Sequence, residues 1–485
     1  MTFKQINPKF ALAVLSTSIG SVQLGYHYSV SNNAHLVIGD WIEQIKKRSS
    51  KKLPSDKDIS LTLSIITSIF FLGGMLGSGM TAFFANKLGP KGGILYNNVI
   101  MLAAAGCFFV SRLSELLEMF IVGRFIVGVH VGLNSGLCPI YLAEIAPLRM
   151  RGSTIAIYSL FAVFSYSLSQ IFLTKEQFLA EKYWYYFVAM GILPGFMQIG
   201  ALIWCPESPN FIFIREKDEA RTRTAFRWLR NSEDVLEDMN RLREYKSTLS
   251  KLPEISFKNL FAKQLYRNPL IIALAMVATQ QCSAMEIVLY YSDSLMSDAG
   301  FTSLQVDTTN TLMAVFLVLT TCLCILTINV IGRRSLFLMS LCGLVMNTVF
   351  LLIVLGLSRD RDVKLYSNNI TAIALVALTA SYGLGTGVIP EVVTVELFHY
   401  LARPFANSVA ITFGWLCALV INIVYIPVKH HLGIYTFLLN LVVDFLLFVF
   451  MQLFLPETNA MNSKQIIQLF YTLDEDSSPD VETVL

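Results

Sequence analysis

The sequence predicts an all-α membrane protein of about twelve spans, built from two related six-helix halves. Apolar residues make up 54% of the 485-residue chain and charged residues only 15%. The mean hydropathy of +0.57 is higher than an ordinary soluble protein can carry. Stretches of roughly 20 apolar residues, the length that crosses a bilayer as a helix, recur along the chain. Most side chains must therefore face lipid or other membrane helices.

Two groups of six spans are predicted, separated by a polar stretch. The first group covers residues 9–32, 60–84, 93–112, 117–142, 153–173 and 184–205. The second group covers residues 269–296, 307–330, 335–357, 371–399, 405–428 and 432–455. The predicted domains are a cytoplasmic N-terminus 1–8, a six-helix bundle 9–205, a cytoplasmic helical linker 206–268, a second six-helix bundle 269–455 and a cytoplasmic tail 456–485.

Three ordered pairs of motifs repeat along the chain, and they indicate a duplicated unit. The pairs are Gly89-Pro90-Lys91 with Gly332-Arg333-Arg334, Glu144 and Arg151 with Glu396 and Arg403, and Pro206-Glu207-Ser208-Pro209 with Pro456-Glu457-Thr458. Their offsets are 243 (332 minus 89), 252 (396 minus 144) and 250 (456 minus 206). Duplicated halves with a substrate site at their interface are a recurrent transporter architecture, in which one half rocks against the other.

The distribution of basic residues predicts the orientation. Lys87, Lys91, Arg149, Arg151, Arg333, Arg334 and Arg403 all follow even-numbered spans. Basic residues in short loops favour the cytoplasm, so these loops and both termini are expected to be cytoplasmic. The run from Lys46 to Lys52 opposes this orientation, but it lies in a longer loop, where the rule is weaker. We expect a multi-pass protein of the plasma membrane.

Composition and motifs argue against several function classes. A net charge of +3 is too small to suggest a nucleic-acid partner. The sequence contains no phosphate-cradling loop, metal constellation, or paired nucleophile and base, so neither an enzyme nor a cofactor or metal site is predicted. A small molecule and the lipid bilayer are the expected partners.

The chain resembles the sugar-porter family of the major facilitator superfamily, the branch that contains the facilitative glucose and fructose transporters. The motifs that carry the resemblance are Gly123-Arg124, Glu144, Arg151-Gly152, Pro206-Glu207-Ser208-Pro209, Gln280-Gln281, Tyr290-Tyr291-Ser292, Gly332-Arg333-Arg334, Glu396-Leu397-Phe398 and Pro456-Glu457-Thr458. The resemblance implies the twelve-span major facilitator fold, with two pseudo-symmetric bundles and a cytoplasmic helical linker. It also implies facilitative transport of a hexose or related polyol by alternating access.

A cytoplasmic gate of ion pairs is implied by the same resemblance. Its members would be Glu144, Arg151, Arg333, Arg334, Glu396 and Arg403. This network is thinner than the family pattern, because Asn210 and Asn329 stand where charged residues are usual and Pro90 stands where the first half normally has arginine.

The predicted substrate site combines amides, hydroxyls and aromatic rings, which suit a sugar's hydroxyl groups and apolar faces. Its predicted members are Gln23, Gln170, Gln280, Gln281, Glu286, Tyr290, Glu391 and Trp415. Glu286 and Glu391 depart from the family, which has asparagine and tryptophan at these positions. Intramembrane carboxylates are costly unless they pair, protonate or face water. Two alternatives therefore stay open: proton-linked or cation-selective transport through Glu286 and Glu391, and a sugar sensor that does not transport.

The last four residues, Glu482-Thr483-Val484-Leu485, predict one further partner. A terminal apolar residue with threonine two positions before it suits a PDZ groove, which adds a peptide as a strand and captures its carboxylate.

Overall fold

The computed structural model describes residues 7–33, 35–50, 55–172, 190–250, 252, 255–357, 364–461 and 463–471. Over these residues the chain is helical, and no strand occurs among them. The first half contains α1 (Pro8–Asn33), α2 (His35–Ser50), α3 (Asp56–Gly79), α4 (Thr81–Lys87), α5 (Pro90–Ser114), α6 (Leu117–Ile145), α7 (Arg151–Phe172) and α8 (Leu193–Leu202).

The polar stretch begins with a short helix, Pro209–Phe211, and a π-helical turn, Ile212–Glu216. Three longer helices follow in it, and nine more α-helices complete the described chain. The longer helices of the polar stretch are α9 (Glu219–Arg230), α10 (Leu236–Leu249) and α11 (Phe257–Ala262). The remaining helices are α12 (Gln264–Cys282), α13 (Ala284–Asp298), α14 (Ser303–Ile331), α15 (Arg333–Leu357), α16 (Lys364–Ser381), α17 (Ile389–Glu396), α18 (Arg403–Leu432), α19 (Thr436–Phe454) and α20 (Ser463–Tyr471).

Ten helical stretches of the described chain are long and apolar enough to cross a membrane. They correspond to ten of the twelve predicted spans. The other two predicted spans, the first and the sixth, correspond to α1 and α8. The 26 residues of α1 include Ser, Gln and His, which make it more polar, and α8 is a shorter apolar helix that follows the undescribed residues 173–189.

Small residues let the helices of the first half approach closely. Gly128, Gly132 and Gly136 recur every four residues on α6, which gives them one shared face. A Cβ atom at Gly128 or Gly132 would collide with the backbone of α3, and one at Gly136 would collide with Thr81 of α4. This stripe therefore packs helices together.

Two membrane helices of the second half are interrupted, and both interruptions lie beside the interface between the halves. The chain leaves the helix at Ser283, with φ −68° and ψ 157°, and restarts as α13. A π-helical turn, Tyr382–Thr386, separates α16 from α17, and Val388 leaves helical geometry with φ −124° and ψ −48°. Irregular backbone at membrane depth is tolerated where it lines a cavity or is buried in protein.

The two halves meet through hydrogen bonds between small polar side chains and backbone carbonyls. Asn407 Nδ2 donates to the carbonyl of Gly136 at 2.8 Å, and Ser408 Oγ donates to that of Ser78 at 2.9 Å. On the other side of the interface, Ser167 Oγ donates to the carbonyl of Ala314 at 3.0 Å. These hydrogen bonds join the two halves over much of the interface beside the cavity.

The polar stretch folds onto one end of the molecule. Arg230 Nη1 donates to the carbonyl of Ile145 at 3.1 Å, and the Tyr400 amide donates to the Tyr245 hydroxyl at 2.7 Å. A small core that includes Phe213, Phe226 and Met239 holds α9 and α10 together. The exact domain bounds at residues 206 and 269 stay a prediction.

Candidate functional site

A cavity of about 150 Å³ lies between the two halves, beside both helix interruptions. The first half contributes Tyr28, Ser135, Ser159 and Tyr166 to its walls, among others. From the second half come Gln280, Gln281, Glu286, Leu289, Tyr382, Glu391 and Trp415, among others. Amides, hydroxyls and aromatic rings thus converge on one space from both halves.

The adjacent glutamines Gln280 and Gln281 end α12 just before its interruption. Gln280 Nε2 donates to the carbonyl of Gly387 at 3.2 Å, which ties α12 to the start of α17. Gln281 Oε1 has no hydrogen-bond partner among the described residues. Gln281 is therefore the glutamine with capacity for a ligand, while Gln280 already supports the wall.

Two carboxylates, Glu286 and Glu391, face the same cavity. Glu286 is only 3% exposed, and its Oε1 has no hydrogen-bond partner among the described residues. Glu391 Oε2 accepts a hydrogen bond of 2.7 Å from Ser159 Oγ. Since Ser159 belongs to the first half and Glu391 to the second, this hydrogen bond crosses the cavity interface.

Trp415 joins the cavity to an aromatic cluster of the first half. Its ring centroid lies 5.6 Å from that of Phe70 and 6.3 Å from that of Tyr28, and Nε1 lies 3.5 Å from Ser135 Oγ. A Cβ atom at Gly74 would collide with the indole ring. Trp415 is thus held in place by packing and presents an apolar face to the cavity.

Two of the predicted site residues, Gln23 and Gln170, do not line this cavity. Gln23 is buried within the first half, where Nε2 donates to the carbonyl of Gly191 at 3.2 Å and Oε1 lies against His130 Nε2. Gln170 Nε2 donates to the Tyr166 hydroxyl at 3.1 Å and borders a much smaller neighbouring space. Tyr290 lies on α13, but its side chain falls outside the described part.

Several wall residues were not predicted from the sequence: Tyr28, Ser159, Tyr166 and Tyr382. One signal could have found Tyr166, which precedes Gln170 by one helical turn and so shares its face of α7. For the others, nothing in the sequence distinguishes a cavity tyrosine or serine from one that packs between helices.

At one end of the molecule, acidic and basic side chains collect between the halves. We call it the charged end and define it by Glu144, Arg151, Arg333, Glu396 and Arg403. Arg333 and Glu396 form a fully buried ion pair at 3.0 Å within the second half. Arg403 and Glu144 lie 3.7 Å apart and connect the two halves.

The hydroxyl partners of the two glutamates are also duplicated. Thr458 Oγ1 donates to Glu396 at 2.7 Å, and Ser208 Oγ donates to Glu144. Pro90 occupies the position equivalent to Arg333, so Glu144 lacks the arginine that Glu396 has within its own half. The ion pair between the halves is therefore the cationic contact of Glu144 in the described structure.

The two other predicted gate residues, Arg151 and Arg334, are placed differently. Arg151 starts α7, and its Nε has no hydrogen-bond partner among the described residues. Arg334 lies at the edge of the charged end, where Nη2 donates to the carbonyl of Gln452 at 2.7 Å. Gly152 packs directly against the Arg333 guanidinium, so the second-half ion pair also touches the first half.

A glutamate accepts from the first amides of a helix in each half. Glu207 accepts from the amides of Lys91 at 3.0 Å and Gly92 at 2.9 Å. Glu457 accepts from the amides of Arg333 at 2.9 Å and Arg334 at 3.1 Å. A carboxylate at a helix N-terminus is stabilised by the free amides and the helix dipole.

Burial sets the protonation of two groups in the loops of the charged end. Burial raises the pKa of Glu207 from its ordinary value, while the backbone amides that it accepts from oppose that shift. Burial and the neighbouring charge of Arg403 lower the pKa of His399 to about 3. His399 is therefore neutral at physiological pH and adds no further charge beside Arg403.

Residues 13–470 match the model of the protein family described as Sugar (and other) transporter. The chain belongs to this family. Among the similar proteins is the solute carrier family 2, facilitated glucose transporter member 3, of Canis lupus familiaris, 28% identical over 97% of this chain and 93% of the relative. The human protein of the same name is 27% identical over 97% of this chain and 94% of its own length.

Solved structures share the fold of this sugar transporter family member. The proton:xylose symporter XylE bound to 6-bromo-6-deoxy-D-glucose superposes with a TM-score of 0.83 at 18% identity, over 95% of this chain and 99% of that chain. The inward open conformation of the xylose transporter XylE from E. coli superposes with a TM-score of 0.68 at 18% identity, over 95% of this chain and 99% of that chain. The twelve-span major facilitator fold predicted from the sequence is confirmed.

Family membership also confirms the general function. The chain is a multi-pass membrane transporter and not an enzyme, as the sequence predicts. Family membership does not favour either of the sequence-based alternatives, which are proton-linked or cation-selective transport and sugar sensing without transport.

Proposed function

We propose that this family member carries a hexose or a related polyol across the plasma membrane by alternating access, as a uniporter. The observation that carries the proposal is the cavity between the halves, which combines an available amide, hydroxyls and aromatic rings. Sugars offer many hydroxyl groups and two apolar faces, and such a lining matches both.

The contacts between the halves support a transport cycle. Ser159 and Glu391 connect the halves at the cavity, and Glu144 and Arg403 connect them at the charged end. Each contact joins one residue of each half, so rocking of the halves must break and reform them. The basic residues of the short loops favour an orientation in which the charged end and both termini face the cytoplasm. In this orientation the contact between Glu144 and Arg403 joins the two halves on the cytoplasmic side.

Tracer uptake by purified protein in liposomes tests the proposal. We expect saturable, protein-dependent entry of at least one hexose or polyol, with no requirement for an ion gradient. Protein-free liposomes are the control. Failure of every member of a hexose and polyol panel to enter above that control would contradict the proposal.

The tail carries a separate proposal, that residues 482–485 bind a PDZ domain. They lie outside the described residues, and the proposal rests on the sequence pattern alone. Deletion of the last four residues should change the surface distribution of the protein in cells and leave uptake in liposomes unchanged. Reduced uptake in liposomes would argue against a purely trafficking role.

A further inference from the structure

The charged residues of the described cavity wall are all acidic. Its lining residues include the two carboxylates Glu286 and Glu391, and no lysine, arginine or histidine belongs to the described lining. A carboxylate in a membrane-embedded cavity requires a proton, water or a positive partner. The wall itself supplies no cation.

Glu286 is a wall carboxylate with a buried oxygen that accepts no hydrogen bond from the described residues. It is 97% buried, faces the cavity, and has an Oε1 without a hydrogen-bond partner among the described residues. A buried acceptor without a donor costs about 1–3 kcal/mol, and more when it is charged. A ligand that brings a donor to this atom removes that cost.

The hydrogen-bonding capacity of the other polar side chains in the wall indicates which ligand groups they can bind. The Gln281 amide can turn its oxygen or its nitrogen towards a ligand, so it suits any hydroxyl group. An ionised carboxylate can only accept, and Glu391 keeps acceptor capacity beyond its hydrogen bond from Ser159. The wall is therefore biased towards a donor-rich ligand with a positive charge.

Aromatic rings around the same space favour the same kind of ligand. Tyr28, Tyr166, Tyr382 and Trp415 line the cavity together with the carboxylates. The faces of such rings attract ammonium groups and also pack against the apolar face of a sugar ring.

We infer that the preferred substrate is an amino sugar, a hexose in which a protonated amine replaces one hydroxyl group. Its ammonium group binds at Glu286 and Glu391, while its remaining hydroxyl groups use Gln281 and the serine side chains. The inference rests on the proposed function, because it assigns a substrate class to the same cavity. It gives both carboxylates of the wall a positively charged partner.

Binding and uptake of two sugars that differ in one group test the inference. Purified full-length protein is titrated with a hexosamine and with its parent hexose, and uptake of both is measured in liposomes. We expect the hexosamine to have a Kd at least tenfold lower, equivalent to about 1.4 kcal/mol. The N-acetylated hexosamine, which is neutral, should compete no better than the hexose.

Four variants separate the wall carboxylates from general charge effects. Glu286→Gln and Glu391→Gln should each reduce the hexosamine preference, and the double variant should bring the ratio of the two Kd values close to one. Asp307→Asn removes an equal charge from an exposed position on α14 and should retain the wild-type ratio.

Equal affinities of the wild type for the two sugars would overturn the inference, and so would a preference that survives in the double variant. If the double variant does not fold, competition by the N-acetylated hexosamine is measured on the wild type instead. Competition stronger than that of the hexose would also overturn the inference. Uptake of hexose without a hexosamine preference leaves the proposed function standing. Failure of both sugars to enter would contradict the proposed function itself.

Discussion

Gln281 and Gln23 are the same residue type at membrane depth, yet the structure gives them different environments. Gln281 lines the cavity with an amide oxygen that lacks a partner among the described residues, whereas Gln23 is fully buried and hydrogen-bonded within the first half. Gln281→Ala should therefore weaken substrate binding about 3- to 10-fold, since it removes a hydrogen bond worth about 0.5–1.5 kcal/mol. The measurement is concentration-dependent uptake, normalised to the amount of protein in the membrane.

The neighbouring variant Gln280→Ala is the matched control for Gln281→Ala. Gln280→Ala should have a smaller direct effect on binding, because its amide nitrogen already donates to Gly387. If a well-expressed variant with both substitutions transported as the wild type does, the assignment of the cavity as the substrate site would be wrong.

Gln23 should behave as a structural residue. Gln23→Leu leaves His130 and the carbonyl of Gly191 without one of their partners, and we expect a loss of stability of about 1–3 kcal/mol. Thermal unfolding of the purified protein measures this. A variant with unchanged stability and selectively weaker sugar binding would instead return Gln23 to the substrate site.

The sequence predicts which residue types belong to a sugar site better than it predicts which copies reach the cavity. Five predicted residues line the cavity: Gln280, Gln281, Glu286, Glu391 and Trp415. Gln23 and Gln170 do not, because the direction of a side chain depends on the rotation of its helix against its neighbours. That rotation is set by packing, which a polar residue in an apolar span does not reveal.

At the scale of helices, close packing between α3 and α6 depends on glycine. Gly132→Ala should destabilise the protein by about 1–3 kcal/mol, because the added methyl group meets the backbone of Gly74. Gly106→Ala is the matched control: outside its own helical turn, no atom of the described residues lies within 4 Å of its Cβ position, and alanine favours the helix by about 0.5–1 kcal/mol. Thermal unfolding of both variants decides, and equal stabilities would contradict the packing role.

The helix interruptions show where sequence patterns are informative and where they are not. Gly383, Gly385, Gly387 and Pro390 lower the helix propensity of the tenth span, and the structure has a π-helical turn there. The interruption at Ser283 is not marked in this way, since neither glycine nor proline adjoins it. The interruption there is a property of the folded bundle and cannot be read from local helix propensity.

At the scale of the whole molecule, the duplication predicted from three motif pairs explains why equivalent hydrogen bonds occur in both halves at the charged end. Glu207 and Glu457 accept from the first amides of equivalent helices, and Ser208 and Thr458 donate to equivalent glutamates. The exception is Pro90, which leaves Glu144 to pair with Arg403 of the other half. The sequence could not predict the conformational state, because its motifs serve every state of the cycle.

Glu144→Gln should shift the protein towards the state that is open at the charged end. The pair with Arg403 is long at 3.7 Å, and Arg403 also donates to the carbonyls of Val395 and Phe398. We therefore expect a loss of about 1 kcal/mol, or roughly a fivefold change in the equilibrium between states. Distances between spin labels on the two halves measure this equilibrium. An unchanged distance distribution would show that this pair does not act as a latch.

The central claim, that one cavity is exposed alternately to the two sides of a membrane, is tested most directly by counterflow. Liposomes that contain the purified protein are loaded with a saturating unlabelled hexose and diluted into a trace of the labelled sugar. A carrier with one alternating site must accumulate the label transiently above its external concentration, because unlabelled sugar occupies the site on the inside. We predict this overshoot with the protein and its absence in protein-free liposomes. Label that only rises to the external concentration, without saturation by unlabelled sugar, would contradict the account.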